Sequence, residues 1–218
     1  MPRRFDLLVF DWDGTLMDSA AAITTALQCA CRDLDFPVPT EARARYVIGL
    51  GLDEAMAHIL PELDRAHYPR VRERYRTHFL QQDARTALFP GAAETVRGLH
   101  DRGHLLAVAT GKSRRGLERA LAATGLKTYF HATRCADEAL SKPNPAMLLE
   151  LMEELSVPKE RTLMIGDTTH DMGMAHAAGV ARLAVAYGAH TEEALLPFAP
   201  VACVRDPGAL RQWLAANG

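Results

Sequence analysis

The sequence predicts an α/β protein, a Rossmann-like, mostly parallel sheet with helices on both faces, plus a small all-helical domain inserted after the first strand. Three observations carry this reading. Leu7-Leu8-Val9-Phe10 is an apolar run long enough for one buried strand, and it ends abruptly in Asp11 and Asp13. From Phe89-Pro90-Gly91 onward, short apolar runs alternate with helical periodicity, the pattern of parallel strands joined by covering helices. Between these two regions, from about Ser19 to Thr86, helical spacing recurs with no strand. The expected division is an α/β core of residues 1–18 and 87–218 and a helical cap of residues 19–86, with hinges near Asp18-Ser19 and Phe89-Pro90.

Each element follows from local pattern. Ile23, Leu27, Cys31 and Leu34 recur at three- and four-residue spacing after Ser19, a candidate N-cap. Pro37 and Pro39 close that helix, and Thr40 opens another toward Ile48. Gly49-Leu50-Gly51-Leu52 interrupts, Asp53 is the expected next cap, and Val71, Tyr75 and Phe79 mark a longer helix fading near Gln81-Gln82-Asp83. In the second region a helix is expected over 92–101 and a strand over 104–109, ending in Thr110-Gly111-Lys112-Ser113. The following helix stops at Gly125. A weak strand over 130–134 leads to Ser141-Lys142-Pro143-Asn144-Pro145, where Asn144 and Pro145 start a helix. The strand over 162–165 ends in Gly166-Asp167-Thr168-Thr169-His170-Asp171, followed by a helix ending at Gly179. Strands are expected over 181–186 and 201–204, and Asp206-Pro207 opens the last helix.

Composition narrows the function. With 218 residues, 48% hydrophobic and 24% charged, the chain can bury a full core. A net charge of -2 gives no reason to expect nucleic acid or a membrane surface as partner. No apolar stretch approaches bilayer length. Met1-Pro2-Arg3-Arg4 runs straight into the first strand, so no separable signal peptide is expected. Cys29, Cys31, Cys135 and Cys203 follow no zinc or disulfide spacing and read as reduced, small core residues of a cytoplasmic protein.

In open α/β sheets, ligands bind beyond the carboxyl ends of the strands. Asp11, Thr110 and Asp167 each fall just past a predicted strand, and Lys142 follows a fourth, so parallel strands would bring all four to one edge. A strand exit has no packing use for crowded carboxylates, which repel unless something positive neutralises them. Asp11 is thus the candidate nucleophile on phosphorus and Asp13 the candidate general acid and base. A hard cation such as magnesium wants oxygen ligands, which Asp11, Asp167 and the backbone carbonyl of Asp13 can offer. Lys142 supplies a fixed positive charge, while Thr110 and nearby backbone N–H groups, Gly111 among them, hold phosphoryl oxygens. Thr110-Gly111-Lys112-Ser113 resembles a P-loop tail, but Leu106 stands where its upstream glycine belongs.

Asp-Trp-Asp-Gly-Thr-Leu, Thr110, Lys142 and Gly-Asp-Thr-Thr-His-Asp together resemble the four motifs of the haloacid-dehalogenase-like phosphohydrolases, in the helical-cap subgroup that includes phosphoglycolate phosphatases. The resemblance implies that Asp11 is the nucleophile, Asp13 the acid/base, Thr110 and Lys142 phosphate holders, and Asp167 with Asp171 the magnesium carboxylates. It implies a magnesium-dependent phosphatase acting on a small phosphorylated metabolite through an aspartyl-phosphate intermediate. A sugar phosphomutase uses the same intermediate, and a phospho-accepting signalling module would label once without turnover. A Schiff-base phosphonate hydrolase is disfavoured because Lys112, Lys127, Lys142 and Lys159 all lie outside the predicted cap. Dehalogenation is disfavoured because a halide needs no proton donor. Within the cap, the uncharged Gly49-Leu50-Gly51 tip serves either substrate selection or a plain turn. Arg45 is the nearest cation, and His170 is read as a surface residue or a ligand contact.

Overall fold

The computed structural model describes residues 4–83 and 86–217; residues 1–3 and 218, at the ends of the expected core, and 84–85, inside the expected cap, lie outside the described residues. Six parallel strands, β1 (Leu7–Phe10), β2 (Leu105–Thr110), β3 (Ala132–Cys135), β4 (Thr162–Gly166), β5 (Ala181–Val185) and β6 (Ala202–Val204), form one sheet in the order β3-β2-β1-β4-β5-β6. β1 therefore lies between β2 and β4, at the point where the strand order changes direction. Its four residues are all buried and uncharged, as a strand covered on both faces requires. Alternation sends Leu8 and Phe10 into one apolar layer and Leu7 and Val9 into the other.

The helices α5 (Ala92–Asp101), α6 (Arg114–Thr124), α7 (Ala146–Glu154), α8 (Thr169–Ala178) and α10 (Pro207–Asn217), with the short α9 (Glu192–Leu195), cover the sheet. α6 and α8 both stop where glycine enters the left-handed region, Gly125 at φ 67° and Gly179 at φ 70°. The expected strand over 130–134 begins two residues later, at Ala132, because His131 still belongs to the turn that reaches β2: its backbone N–H bonds the Leu106 carbonyl.

Between β1 and β2 come α1 (Ala20–Asp33), α2 (Glu41–Tyr46), α3 (Leu52–Ile59) and α4 (Tyr68–Asp83), with no strand among the described residues. They bury their own apolar cluster around Ile23, Leu27, Val47, Ile59 and Phe79. The two chain passages into this block run side by side: Asp18 N–H donates to Ala87 O (2.9 Å) and Phe89 N–H to Leu16 O (2.9 Å). Three expected caps differ, one of them at α7, whose N-cap is Pro145 and not Asn144. Ser19 precedes α1, but its hydroxyl makes no capping bond and is spent on Asp13 instead. Gly51, not Asp53, caps α3; Asp53 lies in the first turn, where Arg72 takes both its oxygens at 2.8 Å. Cys31 and Cys135 are buried core residues as expected, whereas Cys29 and Cys203 are only partly buried; all four are free thiols.

Trp12 ties the fold to the site. It is fully buried between the two acids in sequence, and its ring meets Phe130 edge-on at 6.4 Å. Its indole N–H finds no acceptor among the described residues. Trp12→Ala is expected to cost about 3–5 kcal/mol in chemical denaturation. Trp12→Phe should cost well under half of that, since deleting an unpaired buried N–H recovers about 1–3 kcal/mol of desolvation.

Candidate active site

The carboxyl edge of the sheet gathers Asp11, which continues β1 through a bond from its N–H to Ile165 O, with Asp167 after β4 and Asp171 in the first turn of α8. All three are fully buried, and one carboxylate oxygen from each lies within 4.8 Å of the others. Lys142 is also buried, with Nζ 2.8 Å from Asp11 Oδ1 and 2.6 Å from Asp171 Oδ1. Thr110, ending β2 next to β1, is buried and accepts the Lys112 N–H at 3.2 Å, which leaves its O–H free to donate.

The other contacts hold the acids in place. Asp171 Oδ2 accepts from Thr168 N–H (3.1 Å) and Oγ1 (2.6 Å), closing a capping box on α8. Asp167 accepts from Thr15 Oγ1 (2.8 Å) and Ala189 N–H (2.7 Å). A Cβ on Gly14 or Gly188 would collide with the Asp167 carboxylate, so both glycines serve close approach. Asp13 is turned out of this cluster. Its carboxylate takes Ser19 Oγ (2.6 Å) and both oxygens meet Lys112 Nζ (2.9 and 3.0 Å). The Asp13 carboxylate is not part of the three-acid cluster.

Three carboxylates thus face one ammonium. Burial works against the Lys142 charge, but Asp11 and Asp171 raise its pKa above the ordinary lysine range. Burial raises the Asp11 pKa; Lys142 pulls it down, Asp171 and Asp167 push it up, and the outcome stands well above the ordinary carboxylate range. Asp167 is raised to about 7, by burial first and the Asp171 charge second. Asp11 Oδ2 accepts no hydrogen bond among the described residues. An excess of buried negative charge with an open oxygen is what a hard cation with oxygen ligands fits.

The helical block lies against this edge. A Cβ on Gly111 would strike the carbonyls of Gly49 and Leu50, so that loop is laid directly over the position expected to hold phosphate. Gly51 N–H donates to Ser141 Oγ at 2.8 Å. Arg45 is half-buried, and its Nη2 donates to Gly188 O at 2.8 Å. His170 is not a surface residue. It is buried, and its Nε2 bonds Tyr46 O at 2.7 Å; His190 Nε2 reaches the same carbonyl at 3.0 Å. Burial lowers both imidazole pKa values, His170 to about 4, so both are neutral donors.

Lys112, Ser19 and Thr15 are not among the site residues expected from sequence. Lys112 stands in the Thr110-Gly111-Lys112-Ser113 stretch, and its position two residues after Thr110 is the available signal. Its Nζ also lies 4.8 Å from the centre of the Phe79 ring, so a residue outside the helical block touches α4.

No helix among the described residues is long and apolar enough to cross a membrane. The family model for haloacid dehalogenase-like hydrolases matches residues 8–185. A Dickeya dadantii protein named "Probable phosphatase IndB" is 40% identical over 195 residues, covering 87% of this chain and 84% of its own. A phosphoglycolate phosphatase of Vibrio vulnificus is 32% identical, covering 85% and 86%. The crystal structure of a hydrolase from Pseudomonas syringae shares the fold at a TM-score of 0.89 and 22% identity, over 99% of each chain. The chain belongs to the haloacid dehalogenase-like hydrolases.

Proposed function

We propose that the protein is a magnesium-dependent phosphatase that hydrolyses a small phosphate monoester through an aspartyl phosphate on Asp11, with residues 19–86 acting as a cap over the site. The observation that carries this reading is Asp11 itself: a desolvated carboxylate at the central strand's end, with one oxygen beside Lys142 and the other open. Phosphatase names among the relatives favour the same chemistry.

Magnesium, held by Asp11, Asp167, Asp171 and the Asp13 carbonyl, would supply positive charge against the phosphoryl oxygens. Asp11 attacks phosphorus in line as the ester P–O bond breaks, and Lys142 with Thr110 and the Gly111 N–H holds the equatorial oxygens. Asp13 gives its proton to the departing oxygen. It then takes one from the water that attacks the aspartyl phosphate, so inorganic phosphate leaves and Asp11 is restored. Lys142 stays charged throughout, because its pKa is raised by the acids it touches.

Asp11→Asn is expected to lower phosphate release by about 10³-fold or more. The variant should melt no lower than the parent, because it removes one charge from an over-acidic cluster. Residual turnover near the parental rate, or recovery of an isomerised sugar phosphate in place of inorganic phosphate, would overturn the reading. Asp13→Ala should cost about 10²–10⁴-fold on alkyl esters but far less on p-nitrophenyl phosphate, whose leaving group needs little protonation. Equal losses on both would remove its acid role.

Cation binding must displace protons that the raised Asp11 and Asp167 pKa values hold. Below pH 7 the metal-free folded state therefore carries protons that the unfolded chain has already released. This contribution to stability declines as pH rises from the ordinary carboxylate range toward 7. The buried histidines act in the opposite sense below 6.5, so magnesium affinity is the cleaner readout. Titration calorimetry should show magnesium affinity rising with pH by at least about tenfold per unit from about 5 to 7, as Asp167 gives up its proton.

A further inference from the structure

A cavity of about 350 Å³ opens from Asp13 and runs between the helical block and α6. Its position matters because a leaving group protonated by Asp13 must begin there. The reading that follows rests on the phosphatase function proposed above.

The cavity is far larger than a two-carbon leaving group needs, two carbons spanning only about one C–C bond of 1.5 Å. Pockets of roughly 300 Å³ and above are the size that takes drug-sized ligands. One part of its wall is apolar: Ile23 and Leu27 from α1, Ile48 and Leu52 flanking the glycine loop, and Tyr75 and Phe79 from α4. The two rings are stacked at 5.7 Å. A hydrophilic two-carbon acid would leave these surfaces wet.

The charges in the cavity are graded along two helices that lead away from Asp13. Phe79 covers Lys112, which pairs with Asp13 and marks the near end. Moving back along α4, Arg76 and Arg72 come at three and seven residues, the latter about 10 Å away at 1.5 Å per residue. Moving along α6 from Ser113, Arg115 and Arg119 come within the first two turns and line the same cavity. Asp53 is neutralised by Arg72, whereas Asp137 accepts only the backbone N–H of Arg114 at 2.8 Å and keeps its charge. Glu54 and Asp137 share the lining with Arg76 and Arg115. Neither Arg76 nor Arg115 has a hydrogen bond or ion pair among the described residues.

We infer that the substrate is a phosphate monoester whose leaving group has an apolar, planar or branched body seated against Leu27, Tyr75 and Phe79, and a second anionic group received by Arg76 and Arg115. A phosphate ester of a two-carbon acid is too short to be the preferred one.

The test compares kcat/KM, with magnesium, on 4-carboxybenzyl phosphate, benzyl phosphate and phosphoglycolate. The first is expected to exceed each of the other two by about tenfold, the scale of one charge-assisted contact. In the double variant Arg76→Ala with Arg115→Ala, the ratio of 4-carboxybenzyl to benzyl phosphate should fall to about one. Lysine at both positions should keep much of that ratio, since it retains the charge. Phosphoglycolate turned over as well as the longer ester, or a ratio untouched by the alanines, would overturn the inference while leaving the phosphatase reading intact. Release of phosphate from none of the three esters would sink the phosphatase reading itself.

Discussion

The buried ammonium of Lys142 is the constraint on which the carboxyl edge depends. An isolated charge there would cost several kcal/mol in lost hydration, and it is tolerable only because Asp11 and Asp171 stand within 3 Å. The converse holds equally. Asp11, Asp167 and Asp171 could not all ionise in so small a volume without it. Lys142 offsets part of this negative charge and leaves the remainder as an attraction for a cation. Asp171 transmits the arrangement into the scaffold, because the oxygen not facing Lys142 caps α8 through Thr168. A local helix-start rule and the charge balance of the site thereby share one carboxylate.

A second group of contacts joins the helical block to the sheet edge. The Tyr46 carbonyl, at the end of α2, receives two neutral histidines. His190 must carry its proton on Nε2, since its Nδ1 accepts the Thr169 N–H at 3.0 Å. Arg45 grips Gly188 O, and Gly188 is itself pressed against Asp167. Together with the Gly49 and Leu50 carbonyls over Gly111, these contacts describe a block seated on the edge, with the remaining open space on the Asp13 side. A leaving group of the proposed substrate would therefore have access on one flank. The two antiparallel passages at Asp18 and Phe89 are where such a block would pivot.

Asp13 differs from Asp11 although only Trp12 separates them. The turn at Gly14, in the left-handed region at φ 83°, and the buried indole of Trp12 send the two carboxylates to different neighbours. One meets Lys142 and two acids; the other meets Lys112 and Ser19. Different surroundings are what would let two identical side chains take the separate roles proposed for them, nucleophile and proton carrier.

Much of this was legible in the chain itself. Uncharged runs such as 7–10 and 162–166 announce buried parallel strands, and helix ends at Gly125 and Gly179 follow from local backbone sterics. Because parallel strands share a direction, residues placed just after them, Asp11, Thr110 and Asp167, converge without any knowledge of distances. Short-range rules fail where a side chain has a distant partner of greater value. Ser19 forgoes its helix for Asp13, Asp53 forgoes a cap for Arg72, and His170 turns inward to a carbonyl 124 residues away in sequence. Periodicity and spacing determined the sheet, its order of chemistry and the acids at its edge, since those depend on residues near in sequence. Only the tertiary structure decided which cation meets which acid and what lines the space beyond Asp13, because α4 and α6, which both line it, are far apart in sequence and no local pattern encodes their meeting there.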